Sequence, residues 1–188
     1  MNIFNTPSPE EFVAVIERQL AHIANSGSGD VIRLRKEVQR TPDDPEQWFE
    51  LGIALNQAGL QYRDLALQLA DFHYRQEHPE IDDQPSDQPY TLQIDDAAAM
   101  DLFGQALDAL DHVERLSPDY YGLQCQKGMI HGNMHNYPLA EQCYLQALRD
   151  DDEDFSAAYY LGITYRNMGD ETLAEKYLAL ANQLNPEP

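Results

Sequence analysis

Few residues in this chain are arranged to do chemistry. His131 and His135 stand four apart, a spacing that would set two imidazoles on one helix face, as in a transition-metal pair. Cys125 and Cys143 are near them in sequence. Two clear ligands make a weak motif, and a histidine in such a place more often serves packing. No metal or cofactor is therefore expected, and His131 and His135 remain only weak candidates. The run Asp150-Asp151-Asp152-Glu153-Asp154 lacks the alternating acids and central glycine of a calcium loop. It reads as a solvated loop with an aspartate at a helix N-cap, or as a docking place for a basic partner. Gly27-Ser28-Gly29 is not followed by the Lys-Ser/Thr of a phosphate loop, and no Gly-x-Ser-x-Gly turn occurs. The chain is expected not to be an enzyme.

Charge bounds the partners. Lys and Arg total 12 against 33 Asp and Glu, a net charge of −21. Such a surface repels nucleic-acid phosphates and anionic headgroups and favours basic or apolar protein partners. No nucleic acid and no membrane are expected, because no window approaches the apolar length of a span. The start of the chain has neither a basic nor an apolar stretch, and two cysteines are too few for a disulfide framework. A cytoplasmic location is the expectation.

What must position any site is a repeat. Gly128 and Gly162 are 34 residues apart, and the same offset pairs Ala140 with Ala174, Ala147 with Ala181 and Tyr144 with Leu178. Small residues at one register let paired helices approach closely. A glycine inside a helix costs about 1 kcal/mol against alanine, so two in phase imply a packing use. Trp48-Phe49-Glu50-Leu51-Gly52 carries a Trp-x2-Leu-Gly opening, and Tyr159-Tyr160-Leu161-Gly162 is its counterpart near the end. On these residues and this period the chain resembles the tetratricopeptide-repeat family. The resemblance implies an all-α, right-handed solenoid of helical hairpins, with three clear repeats and one degenerate N-terminal repeat. The residues 1–188 would form a single domain with units at 8–44, 45–120, 121–154 and 155–188. The resemblance covers 45–60 and 97–188 well, 8–44 weakly and 61–96 not at all.

Gly52 and Gly128 stand 76 residues apart, one period plus 42, so the second unit carries a 42-residue insertion at about 61–96. Within it Tyr62–Gln76 reads as an extra helix, and 77–96, rich in Pro and Asp, reads as an exposed loop. Ser8-Pro9-Glu10-Glu11 is a capping box that opens the N-terminal unit. The second helix of the inserted unit is expected around Ala106, Leu110 and Val113.

Stacked helical pairs leave a concave surface lined by the first helix of each unit. The glycine phase places Phe49, Ile53, Asn56 and Gln57 there from the second unit, Cys125, Met129 and Asn133 from the third, and Tyr159, Ile163, Arg166 and Asn167 from the fourth. Asparagines could hold an extended peptide backbone while the apolar residues anchor its side chains; equally, they could serve the turns that follow. Family members that grip acidic chain ends use several cations in this groove. Arg166 is the one obvious cation at these places, so an acidic tail is a poor ligand. The expected function is a protein-interaction scaffold or adaptor binding a peptide or partner protein. The alternative is self-association, for instance as a homodimer, through the outer face of the last repeat. A metal-dependent enzyme would rest on the two histidines alone.

Overall fold

The computed structural model describes residues 8–79 and 94–185. Among them are eight α-helices and no strand: α1 (Pro9–Ser26), α2 (Gly29–Arg40), α3 (Pro45–Glu77), α4 (Ala97–Leu116), α5 (Leu123–Asn133), α6 (Tyr137–Asp150), α7 (Phe155–Met168) and α8 (Glu171–Leu184). The architecture is a helical solenoid, as the repeat period implies.

Local sequence explains the helix ends. Ser8 Oγ accepts from the Glu11 amide at 3.2 Å, and Glu11 Oε2 accepts from the Ser8 amide at 2.8 Å, the reciprocal cap expected of this segment. Asp44, Asp154 and Asp170 cap α3, α7 and α8 by accepting from backbone amides in the first turn. Asp154, the last of the acidic run, thus has a structural task. Gly27 turns the chain from α1 into α2 at φ +75°, with Val31 so close that an added Cβ would sit 2.6 Å from its Cγ1.

The expected extra helix over 62–76 is not a separate element. It is the second half of α3, which runs unbroken for 33 residues, about 50 Å. No Gly or Pro occurs between Gln61 and Glu77, so nothing stops propagation. The helix ends just before His78-Pro79, where proline disfavours helical backbone in the residue preceding it. The expected loop over 77–96 falls for 80–93 outside the described residues.

Three hairpins stack, α3 with α4, α5 with α6 and α7 with α8. Their closest approaches sit at the in-phase glycines. A Cβ on Gly52 would meet Leu110 Cδ2 at 2.8 Å, one on Gly128 would meet Tyr144 Cε1 at 2.6 Å, and one on Gly162 would meet Leu178 Cγ at 2.7 Å. The three facing residues, 110, 144 and 178, are themselves one 34-residue period apart. Gly59 repeats the device one heptad along α3, facing Phe103 at 2.5 Å. The helices that precede the first hairpin are the less regular part: α1 and α2 both pack on α3, with the Phe12 and Phe72 ring centroids 5.0 Å apart.

The buried side chains form two clusters. One joins Val31, Leu34 and Val38 of α2 to the faces of α3 and α4 and to Leu123 and Ile130 of α5. The other fills the interior of the last two hairpins around Tyr144, Leu161 and Tyr165. Between them the Lys127 ammonium, on a residue 9% exposed, bonds Asp111 and Glu114 at 2.7 Å each and so ties α5 to α4.

A concave groove with an apolar pocket

Side chains of α3, α5, α6 and α7 line a pocket of about 250 Å3. Met129 and Asn133 of α5 and Ile163 and Asn167 of α7 line it, four of the residues expected in the groove. Leu60, Gly132, Tyr137, Tyr144, Tyr160 and Thr164 complete it. Thr164 spends its hydroxyl on the Tyr160 carbonyl at 2.8 Å, so the wall it offers is a methyl group. The rings of Tyr144 and Tyr160 stack with centroids 6.1 Å apart and make the floor stiff. Burial pushes the Tyr144 phenol above its ordinary range, so it stays neutral.

Other expected groove residues lie elsewhere. Phe49 packs on Tyr120, centroids 4.8 Å apart, at the mouth of the second unit. Ile53 is half-buried beside it in sequence, Gln57 is exposed, and Tyr159 stacks on Phe155 at 5.9 Å with 40% of its surface exposed. Arg166 is exposed at the end of α7. Two expectations are corrected. Cys125 is 5% exposed and belongs to the core of the last hairpins, because α6 and α7 pack over it and it clusters with Tyr144, Ala147, Ala157 and Leu161. Burial pushes its thiol up to about 12, which keeps it protonated. Asn56 is 4% exposed and accepts from Asn133 Nδ2 at 2.9 Å, so these two amides join neighbouring units to each other.

The histidine pair is also corrected. α5 ends at Asn133, and His135 sits beyond it at φ +58°, its Nδ1 3.0 Å from the Tyr137 hydroxyl. His131 is half-buried with Nδ1 enclosed and without a hydrogen-bond partner, and burial together with the Lys127 charge lowers its pKa, Asp111 opposing in part. The two rings therefore do not share a helix face. Among the described residues no three His, Cys, Asp or Glu side chains are grouped to hold a metal. No described helix is long and apolar enough to cross a membrane.

Sequence phase missed the far side of the pocket. Leu60 follows Ile53 by seven residues on the same stripe of α3 and could have been found by extending that stripe into the insertion. Tyr137 and Tyr144 come from the second helix of their unit. Tyr144 reaches the pocket past Gly128, and no periodicity of the first helices announces either tyrosine.

An acid-lined hollow of about 340 Å3 opens on the edge of the solenoid, between the α4–α5 loop and the α6–α7 loop. Asp150, Asp151 and Asp154 line it with Tyr121, which is 77% exposed. Asp151 and then Asp154 hold the Tyr121 phenol above its ordinary pKa.

Comparison with known proteins agrees with this geometry. A tetratricopeptide-repeat family model matches residues 156–188. A tetratricopeptide-repeat protein of Thermus thermophilus shares the fold, with a TM-score of 0.59 at 22% identity over 97% of this chain and 77% of that one. MamA of Desulfovibrio magneticus RS-1 aligns over 94% of this chain and 97% of its own at 15% identity, with a TM-score of 0.42. The human Superkiller complex protein 3 is 33% identical over 82 residues, 44% of this chain; the match spans 5% of that protein's length. The matched repeat at 156–188, the 34-residue period and the three glycine-faced hairpins make this chain similar to the tetratricopeptide-repeat family, whose helical-solenoid fold it shares.

Proposed function

We propose that the protein is a non-catalytic adaptor that holds a partner protein in the groove of α3, α5 and α7. The observation that supports this reading is the pocket itself: apolar side chains from all three groove helices, a stiff tyrosine floor and asparagines at the rim. A small, mostly apolar concavity with a few polar groups is the usual form of an anchor site. The surplus of acids directs the choice of partner to basic or apolar segments and away from acidic tails, and suits a protein working in the cytoplasm.

The test is affinity capture from lysate of the source organism. Wild type is compared with a double variant, Met129→Ala with Ile163→Ala, which empties the pocket walls without touching the glycine contacts. A partner kept by wild type and lost by a variant of unchanged helicity supports the groove. A partner kept equally by both refutes it and moves attention to the acid-lined edge.

A further inference from the structure

α3 continues past the end of α5. Arg63 Nη1 donates to the carbonyl of Asn133, the last residue of α5, at 2.7 Å. Arg63 is therefore level with the end of α5, and residues 64–77 of α3 project past it by about 21 Å. This projection is braced from one side by α1, through Phe12 against Phe72. Its base is fixed by Arg63, which also bonds Asp96 at 2.8 Å and lies over the Phe103 ring at 5.1 Å.

Phe49, Ile53, Asn56, Leu60 and Leu67 fall on one stripe of α3, at steps of four, three, four and seven residues. Leu60 lines the apolar pocket and is 41% exposed. Leu67, two turns further on, is 40% exposed and stands beyond the reach of α5. Asp64 lies between them on the same face, exposed, its carboxylate bonded at 2.8 Å to Gln68. The stripe thus alternates leucine, acid, leucine along a straight rod.

Resting on the groove reading above, we infer that the groove and the projecting half of α3 together receive a basic amphipathic helix. It places one apolar side chain in the pocket and a second against Leu67. Spacing argues for a helix. Leu60 and Leu67 are about 10.5 Å apart along α3, the interval of side chains seven apart on a partner helix. A β-strand peptide offers same-side side chains every ~6.7 Å, out of step with this interval. Charge argues for the rest: Asp64 lies between the two leucines on a chain of net charge −21, so Lys or Arg on the flanks of the apolar stripe finds a counter-charge.

The probe is a fluorescent peptide of about 18 residues, five helical turns, built of Leu and Lys in helical period. Its control is an isomer of the same composition with Leu and Lys alternating. Anisotropy is measured with wild type, Leu67→Ala, Asp64→Asn and the Met129→Ala, Ile163→Ala pocket variant, each checked for helicity. Leu67→Ala keeps helix propensity and removes only the outer contact. The expected result is that wild type prefers the helical peptide, and that Leu67→Ala and the pocket variant each weaken it about ten-fold. Asp64→Asn reduces the salt dependence of binding. If the pocket variant loses the peptide and Leu67→Ala does not, the inference fails while the groove reading stands. If both isomers bind equally, or neither variant matters, binding follows charge alone and the inference is overturned. If wild type binds neither peptide, the inference also falls, and the lysate capture decides the groove reading separately.

Discussion

Gly128→Ala is the most direct test of how these hairpins are held. A methyl group at that position would lie 2.6 Å from Tyr144 Cε1, where carbon atoms rest at about 3.5–4.0 Å. The ring must move by about 1 Å. It is 2% exposed and stacked against Tyr160, so the movement reaches α7. Overpacking of this kind costs about 2–3 kcal/mol, while alanine gains about 1 kcal/mol over glycine in a helix. The net loss is about 1–2 kcal/mol, and at this chain length it lowers Tm by about 2–8 °C. Gly104→Ala is the internal control: Gly104 lies within α4 with nothing inside 4 Å of an added Cβ, so only the propensity gain of about 1 kcal/mol remains. Thermal unfolding followed by far-ultraviolet circular dichroism compares the two. Opposite signs of ΔTm are expected. A Gly128→Ala protein as stable as the Gly104→Ala protein would refute the claim that glycine is there for close approach to Tyr144.

Three other outcomes follow from buried polar groups. The folded state lowers the His131 pKa below 6.5, so the unfolded chain binds that proton more readily; stability is full above pH 6.5 and falls as pH drops through 6.5 toward the folded value. His131→Leu should flatten this part of the Tm against pH curve, and an unchanged slope would show that the drop belongs to other groups. Cys125, with its thiol at about 12, should resist an aromatic disulfide reagent at pH 8 in the folded Cys143→Ser protein and react at once in urea; rapid reaction without denaturant would contradict its burial. Arg63→Lys keeps the charge but loses the fork that spans Asn133 and Asp96, so amide exchange within 64–77 should speed up about ten-fold, the equivalent of one to two hydrogen bonds. Unchanged exchange there would mean that α1 alone braces the projection.

The solenoid was legible because its signals are local or strictly periodic. Glycines 34 residues apart mark the hairpin contacts, and an aspartate or a Ser-Pro-Glu-Glu box marks a helix start whatever the chain does elsewhere. The second helix of the inserted unit was legible because Ala106, Leu110 and Val113 recur at helical spacing after the insertion, which leaves their local pattern untouched. The groove was legible only in part. Met129, Asn133, Ile163 and Asn167 come together from phase alone. Cys125 shares that phase and is buried, since α6 and α7 of the following hairpins pack over the start of α5.

By itself, then, the sequence determined the helical class, the hairpin period and the acidic field, each of which depends on residue type and spacing within a unit. Only the tertiary structure decided that 62–77 prolong α3, that Asn56 and Asn133 satisfy each other, and that tyrosines of α6 complete the pocket. These depend on how far one helix reaches past its neighbour and on which buried amide finds a partner. Such distances are set by packing between units and leave no periodic trace in the chain.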